Sequence, residues 1–242
     1  MAVNADSSGV IPVMTIDEVL AQIHEIGIIP GIRTASAEDA HFAADAVASG
    51  GIPVVEITMT IPGAIDMIGY LTKHIPGVMV GAGTVLDGET ARKCVDAGAA
   101  FLTGPCLDVA VIEVAKKHRV AMLAGALTPS EVHAAWDAGA DFIKIFPCSQ
   151  VGGDSYIRAL KGPFPKIPLI AAGGVNQQTA GNFILAGAAA IGVGSELVPR
   201  EAIEKRRAEQ IRELARRFMR LVGAARARLA PLRETVSGGV GR

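Results

Sequence analysis

Residues 138–145 read AGADFIKI. Two other stretches share this shape, AGAAFLTG at 97–104 and AGAAAIGV at 186–193. Each closes an amphipathic segment on glycine, the usual stop of a helix, and opens an apolar run with the composition of a buried strand. SGGIPVVEI at 49–57 is a looser copy. Working outward from these copies, strand candidates fall at 27–33, 53–58, 78–84, 100–103, 120–125, 141–146, 168–172 and 189–194, their starts about 20 to 27 residues apart. Amphipathic stretches such as 35–49 and 130–138 fill the gaps. Strands that alternate with helices are parallel, because each needs a crossover to return. Eight such units in about 200 residues is the count of a closed (β/α)8 TIM barrel. Periodicity alone leaves an open, doubly wound sheet as the alternative.

Two helices lie outside the repeat. Thr15-Ile16-Asp17-Glu18 is a capping box opening a helix to about Glu25, placed to plug the barrel's N-terminal end. The segment from about Arg200 to Leu229 carries Ile211, Leu214, Phe218, Leu221 and Ala225 at 3/4 spacing, which gives one buried stripe. From Arg200 onward there are 12 basic and 5 acidic residues, an excess of +7 against −8 in the first 199. A solvated outer face accounts for this charge more economically than an anion site or a partner. The barrel domain is expected over 14–230, with 1–13 and 231–242 as loose termini.

Composition removes several classes of function. Of 242 residues, 50% are hydrophobic and 19% charged, which supplies a large core and argues against disorder. A net charge of −1 and 4% aromatic residues leave neither the basic patch nor the stacking surface of a nucleic-acid binder. The longest apolar run, 183–194, is about a dozen residues, too short to cross a membrane, and the first ten residues lack a signal-peptide pattern. Three widely spaced cysteines form neither a disulfide framework nor a metal knuckle, so the expectation is reduced thiols and a cytoplasmic location. None of the five histidines falls at a strand end and no two are spaced i, i+4, so no metal site is expected.

Chemistry in such barrels sits at the C-terminal ends of the strands. Two-residue alternation puts Val54, Glu56 and Thr58 on one face of strand two, and Phe142, Lys144 and Phe146 on one face of strand six. Two ionisable groups therefore point into the ring. The bland alternative is an ion pair that fills the core. The functional reading is an amine nucleophile, since a dry amine is more readily neutral and can attack a ketone to form a Schiff base, with Glu56 moving protons. The other seven lysines fall in helices or polar loops and read as solvated. Gly81-Ala82-Gly83-Thr84 ends strand three, where the glycines admit a ligand and the Thr84 hydroxyl can donate to a carboxylate. Arg33 ends strand one and can grip a carboxylate in bidentate fashion. Gly173-Gly174 after strand seven and Gly194-Ser195 after strand eight, each leading into a helix N-terminus, match the usual phosphate pocket of this fold, the alternative being glycines that serve the turns alone.

With these residues placed, the chain resembles the 2-keto-3-deoxy-6-phosphogluconate aldolase / 4-hydroxy-2-oxoglutarate aldolase family over about residues 27–199. The likeness rests on GGIPVVEITMT, VGAGTVLD, AGAAFLTGPCLD, FIKIFP, KGPFP, AAGGVN and GVGSELVP, in family order. It implies a (β/α)8 barrel that works without metal or cofactor, forms a Schiff base with pyruvate, takes a small 2-keto acid as substrate and assembles as a homotrimer. It also implies Lys144 as the Schiff-base lysine, Glu56 as the general acid/base, Thr84 on the pyruvate carboxylate, Pro105 as a pocket wall, and Gly173, Gly174 and Ser195 at the phosphate. Two positions depart from the pattern. Many members carry arginine four residues after the glutamate, where this chain has Thr60, and the resemblance to another branch gives that role to Arg33. Members preferring phosphorylated substrates read Thr-Gly-Gly after strand seven, where this chain has Ala172-Gly173-Gly174. The competing readings are a phosphate-binding barrel isomerase or synthase, and a silent oligomeric scaffold.

Overall fold

The structure, a computed structural model, describes residues 14–34 and 36–237. The expectations for residues 1–13 and 238–242 lie outside these residues. Eight parallel strands close into a ring in sequence order. They are β1 (Ile28–Ile32), β2 (Val54–Thr58), β3 (Met79–Gly83), β4 (Phe101–Thr103), β5 (Ala121–Ala126), β6 (Phe142–Ile145), β7 (Leu169–Ala172) and β8 (Ala190–Val193). All eight fall within or beside the expected runs, and the ring closes by pairing Ile28 with Ile191 and Pro30 with Val193. Closure rules out the open sheet. The strands are short, apolar and buried on both faces, because side chains fill the ring inside and helices cover it outside.

The covering helices are α2 (Ala37–Ser49), α3 (Ala64–His74), α4 (Gly88–Asp96), α5 (Val109–His118), α6 (Pro129–Ala138), α7 (Asp154–Lys161) and α8 (Ala180–Leu185). Four of their starts are set by side-chain caps: Ser36, Asp87, Asp108 and Thr128 each accept the amide of the third helical residue. Ahead of the ring, α1 (Ile16–Ile26) carries the expected capping box at Thr15 and Glu18 and ends on Gly27 in the left-handed conformation. It buries Val19 and Ile23, and its His24 ring lies 4.9 Å from Phe142, the first residue of β6. The helix therefore lies at the N-terminal end of the ring, opposite the strand ends where chemistry is expected.

The C-terminal segment differs from the single helix expected. It is broken into α9 (Arg200–Glu204) and α10 (Ala208–Ser237), and α10 runs past the expected end near Leu229. At the corner Arg206 adopts φ 49°, and its guanidinium reaches Glu38 and Asp39 at 2.7 and 3.0 Å and lies 5.0 Å from the Phe42 ring centre. These α2 contacts hold the left-handed turn that redirects the chain. The apolar stripe of α10 is as read for Ile211, Phe218 and Ala225, all buried, while Leu214 and Leu221 lie at its margin.

Candidate active site

β2 and β6 stand four strands apart in a ring of eight, so they face each other across the axis. Glu56 on β2 and Lys144 on β6 are both buried, at 4% and 8% exposure, and reach toward one another. Lys144 Nζ lies 3.6 Å from Glu56 Oε2, beyond normal hydrogen-bond length. β4 supplies the link. The Thr103 hydroxyl donates to Glu56 Oε2 at 2.7 Å and accepts from Lys144 Nζ at 3.4 Å. Even-numbered strands thus contribute carboxylate, hydroxyl and amine to one place, as alternate barrel strands do when they build a layer. The Phe146 ring centre lies 5.9 Å from the amine, within reach of a cation–π contact.

Small residues make room for this cluster. Glu56 sits opposite Gly31 of β1 and Gly81 of β3 in register. Its Oε1 lies against Gly83, where a β-carbon would come within 2.3 Å. On the far side Lys144 pairs in register with Gly125 of β5, and a β-carbon there would lie 2.3 Å from the backbone of both Pro105 and Cys106. The 105–106 segment is therefore folded down over β5 beside the lysine.

A cavity of about 260 Å³ opens above the amine. It brings together six of the eight candidate residues, namely Arg33, Glu56, Lys144, Gly173, Gly174 and Ser195. Thr84 and Pro105 are not among its lining residues. Thr84 leaves β3 at φ 60°, a strained conformation for a β-branched residue that persists only where its surroundings impose it. Thr60, four residues after Glu56, shares a 2.8 Å hydrogen bond with Thr58. Arg33 is exposed at the cavity wall, and among the described residues no carboxylate pairs with it.

The glycine loops differ from the expectation in one respect: neither runs directly into a helix. Gly173 and Gly174 adopt φ 84° and 80°, and a turn fastened by Asn176 and Thr179 separates them from α8. After β8, the amides of Leu197 and Val198 both close on Gly194 O at 3.0 Å, making a single turn before α9. The loops still face the cavity from two sides. Ala172, noted in the sequence as lacking a hydroxyl, is among the residues lining it.

Sequence reasoning missed Thr103 and Glu196. Glu196, an exposed residue, lines the cavity next to Ser195. Lys161, read as solvated, is half-buried and donates to the carbonyls of Pro165 and Ile167 at 2.8 Å each. Desolvation holds its ammonium below the usual lysine range. The buried thiols of Cys94 and Cys148 are pushed up to about 11 by burial, so neither forms a reactive thiolate near neutral pH. Among the described residues no group of three or more His, Cys, Asp or Glu is arranged to hold a metal ion, and no helix is long and apolar enough to cross a membrane.

The KDPG and KHG aldolase family model matches residues 16–214. The chain belongs to the KDPG and KHG aldolase family. The KHG/KDPG aldolase of Escherichia coli K12 is 32% identical over 190 residues, covering 78% of this chain and 89% of that protein. The 2-dehydro-3-deoxy-phosphogluconate aldolase of Dickeya dadantii is 30% identical over 189 residues, with 78% and 89% covered. Among solved structures, the KDPG aldolase of Legionella pneumophila, with pyruvate captured as a covalent carbinolamine, superposes with a TM-score of 0.76 at 31% identity, covering 81% of this chain and 96% of that one. The match to the aldolase family spans the whole ring together with α1 and the first part of α10.

Proposed function

We propose that the chain is a Schiff-base aldolase that reversibly cleaves 2-keto-3-deoxy-6-phosphogluconate, or a close 2-keto acid relative, to pyruvate and an aldehyde, with residues 14–230 as the catalytic unit. The observation that carries this reading is the buried amine of Lys144 at the floor of the cavity, linked to the Glu56 carboxylate through one hydroxyl. The neutral amine adds to the C2 ketone, and loss of water leaves an iminium. That cation accepts the electron pair of the C3–C4 bond once the C4 hydroxyl gives its proton to Glu56. The aldehyde departs, either glyceraldehyde 3-phosphate or glyoxylate. The enamine that remains takes a proton at C3 from Glu56, and water releases pyruvate. Arg33 and Thr84 hold the substrate carboxylate, Pro105 forms a wall, and the Gly173-Gly174 and Ser195 loops receive the phosphate.

Trapping tests this directly. Borohydride with pyruvate should leave a reduced pyruvate adduct on Lys144, found by peptide mass mapping, and a protein without that adduct ends the Schiff-base reading in favour of an isomerase or synthase. We assign a cytoplasmic location, supported by three free cysteines, and a homotrimer, supported by exposed Tyr70, Leu86, Val109, Trp136 and Val151. A solution mass other than that of three chains would overturn the trimer.

A further inference from the structure

We infer that Thr103 is a positioning residue whose hydroxyl aims the Glu56 carboxylate and carries the proton that Lys144 must lose before it can attack a ketone. The inference rests on the Schiff-base reading above and assigns a role to a residue outside that scheme.

The argument begins with β4. Phe101, Leu102 and Thr103 are all fully buried, and Leu102 alternates with its two neighbours. Phe101 turns inward and presses its ring on Gly81, where a β-carbon would come within 2.2 Å. Thr103 therefore faces inward too. Its backbone is fixed by the Val85 amide, which donates to Thr103 O at 3.0 Å. Its side chain enters the ring between the two ionisable groups.

A buried carboxylate needs a donor, and a buried ammonium needs an acceptor. One hydroxyl serves both, since it can donate one hydrogen bond while accepting another. The direct route between amine and carboxylate is 3.6 Å, while the route through Oγ1 runs over contacts of 3.4 and 2.7 Å. The hydrogen-bonded path is the one through the hydroxyl. Along it, Lys144 Nζ gives a proton to Thr103 Oγ1 as Thr103 gives its own to Glu56 Oε2. The products are a neutral amine, a protonated carboxyl and an unchanged hydroxyl, so charge and protons balance. That proton then leaves with the C2 oxygen as water when the iminium forms, so Glu56 is a carboxylate again when the C4 hydroxyl gives up its proton.

The experiment compares Thr103→Val, of nearly equal shape without the hydroxyl, with Thr103→Ser, which keeps it. Thr103→Ala serves as a second hydroxyl-free variant should valine disturb folding. The measured quantity is the single-turnover rate of pyruvate adduct formation, quenched with borohydride and read by mass, across a pH series. Both hydroxyl-free variants should form the adduct about 100-fold more slowly near neutral pH. Their deficit should shrink as pH rises, because solvent hydroxide then removes the lysine proton. Thr103→Ser should stay within a few-fold of wild type at every pH. Wild-type rates in Thr103→Val and Thr103→Ala would overturn the relay, as would a loss that serine does not restore or one that is equal at all pH values. Absence of an adduct in the wild-type protein would instead overturn the Schiff-base reading itself.

Discussion

A β-carbon placed on Gly83 would lie 2.3 Å from Oε1 of Glu56, 2.5 Å from Cδ and 2.6 Å from Cγ. The carboxylate cannot stay on Thr103 with a methyl group there, because it would have to swing away by more than its hydrogen bond allows. One placed on Gly31, opposite Glu56 in β1, would lie at an ordinary 3.6 Å. Gly83→Ala should therefore cut kcat by about 100-fold, the scale of a misplaced catalytic group, with the far-ultraviolet spectrum unchanged. Gly31→Ala should spare kcat and act on KM, since it only adds a methyl to the cavity wall. Steady-state kinetics of the two variants check this, and equal kcat losses would show that Glu56 is not held by Gly83. Glu56 and Lys144 were legible in the sequence because a charged residue inside an apolar strand has few innocent explanations. Thr103 was not, because threonine suits any strand position. Only the meeting of β2, β4 and β6 across the axis gives its hydroxyl a purpose. Inward alternation on β4 was the one signal available.

Helix starts were partly legible, and their failures are physical. The Thr15–Glu18 box announced α1, and the equivalent box at Thr128 and Glu131 opens α6 with Pro129 at its first position. The break between α9 and α10 had no local signal, since Lys205, Arg206 and Arg207 are all acceptable in a helix. It arises from contacts with α2, which lies over 160 residues earlier in the chain. The α6 cap makes a measurable element. Glu131 accepts the backbone amides of Thr128 and Leu127 at 2.7 and 2.8 Å, and these donors hold its carboxyl below the usual range. A depressed folded value means the ionised form is favoured by folding. The contribution is thus fully present above the unfolded glutamate range, about 4.3, and is lost as pH falls through the lower folded value. Thr128→Ala should cost about 1 kcal/mol in urea unfolding at pH 7. The stability gap between wild type and Glu131→Gln should be open at pH 7 and close at strongly acid pH. A gap that widens on acidification would contradict this sign.

At the scale of the molecule the ring must be closed by its most distant strands, β1 and β8, whose partners Ile28 and Ile191 come from opposite ends of the chain. Bringing such ends together costs chain entropy, which later contacts must offset. α10 supplies them. It packs on α2, which leaves β1, and on α8, which enters β8, so it lies over the seam. A β-carbon on Gly50, at the end of α2, would lie 2.6 Å from Ala215 Cβ and 3.0 Å from Arg212 O, which shows how closely α10 approaches. Arg226 donates to the carbonyls of His24 and Glu25 in α1 and of Ala189 just before β8, tying the first helix to the last strand. Repetition in the sequence announced the eight units, while the role of α10 followed only from where its buried stripe lands. Within that stripe Phe218 is fully buried, and no α10 residue lines the cavity at the opposite, C-terminal side of the ring. Phe218→Ala should therefore destabilise the protein by about 3–5 kcal/mol, the cost of emptying a large aromatic site. The midpoint of urea unfolding should fall accordingly, while kcat and KM, measured well below the new unfolding temperature, should stay at wild-type values. A variant that keeps its stability, or one that loses turnover while fully folded, would show that α10 is not a clamp on the seam but is coupled to the site across the barrel.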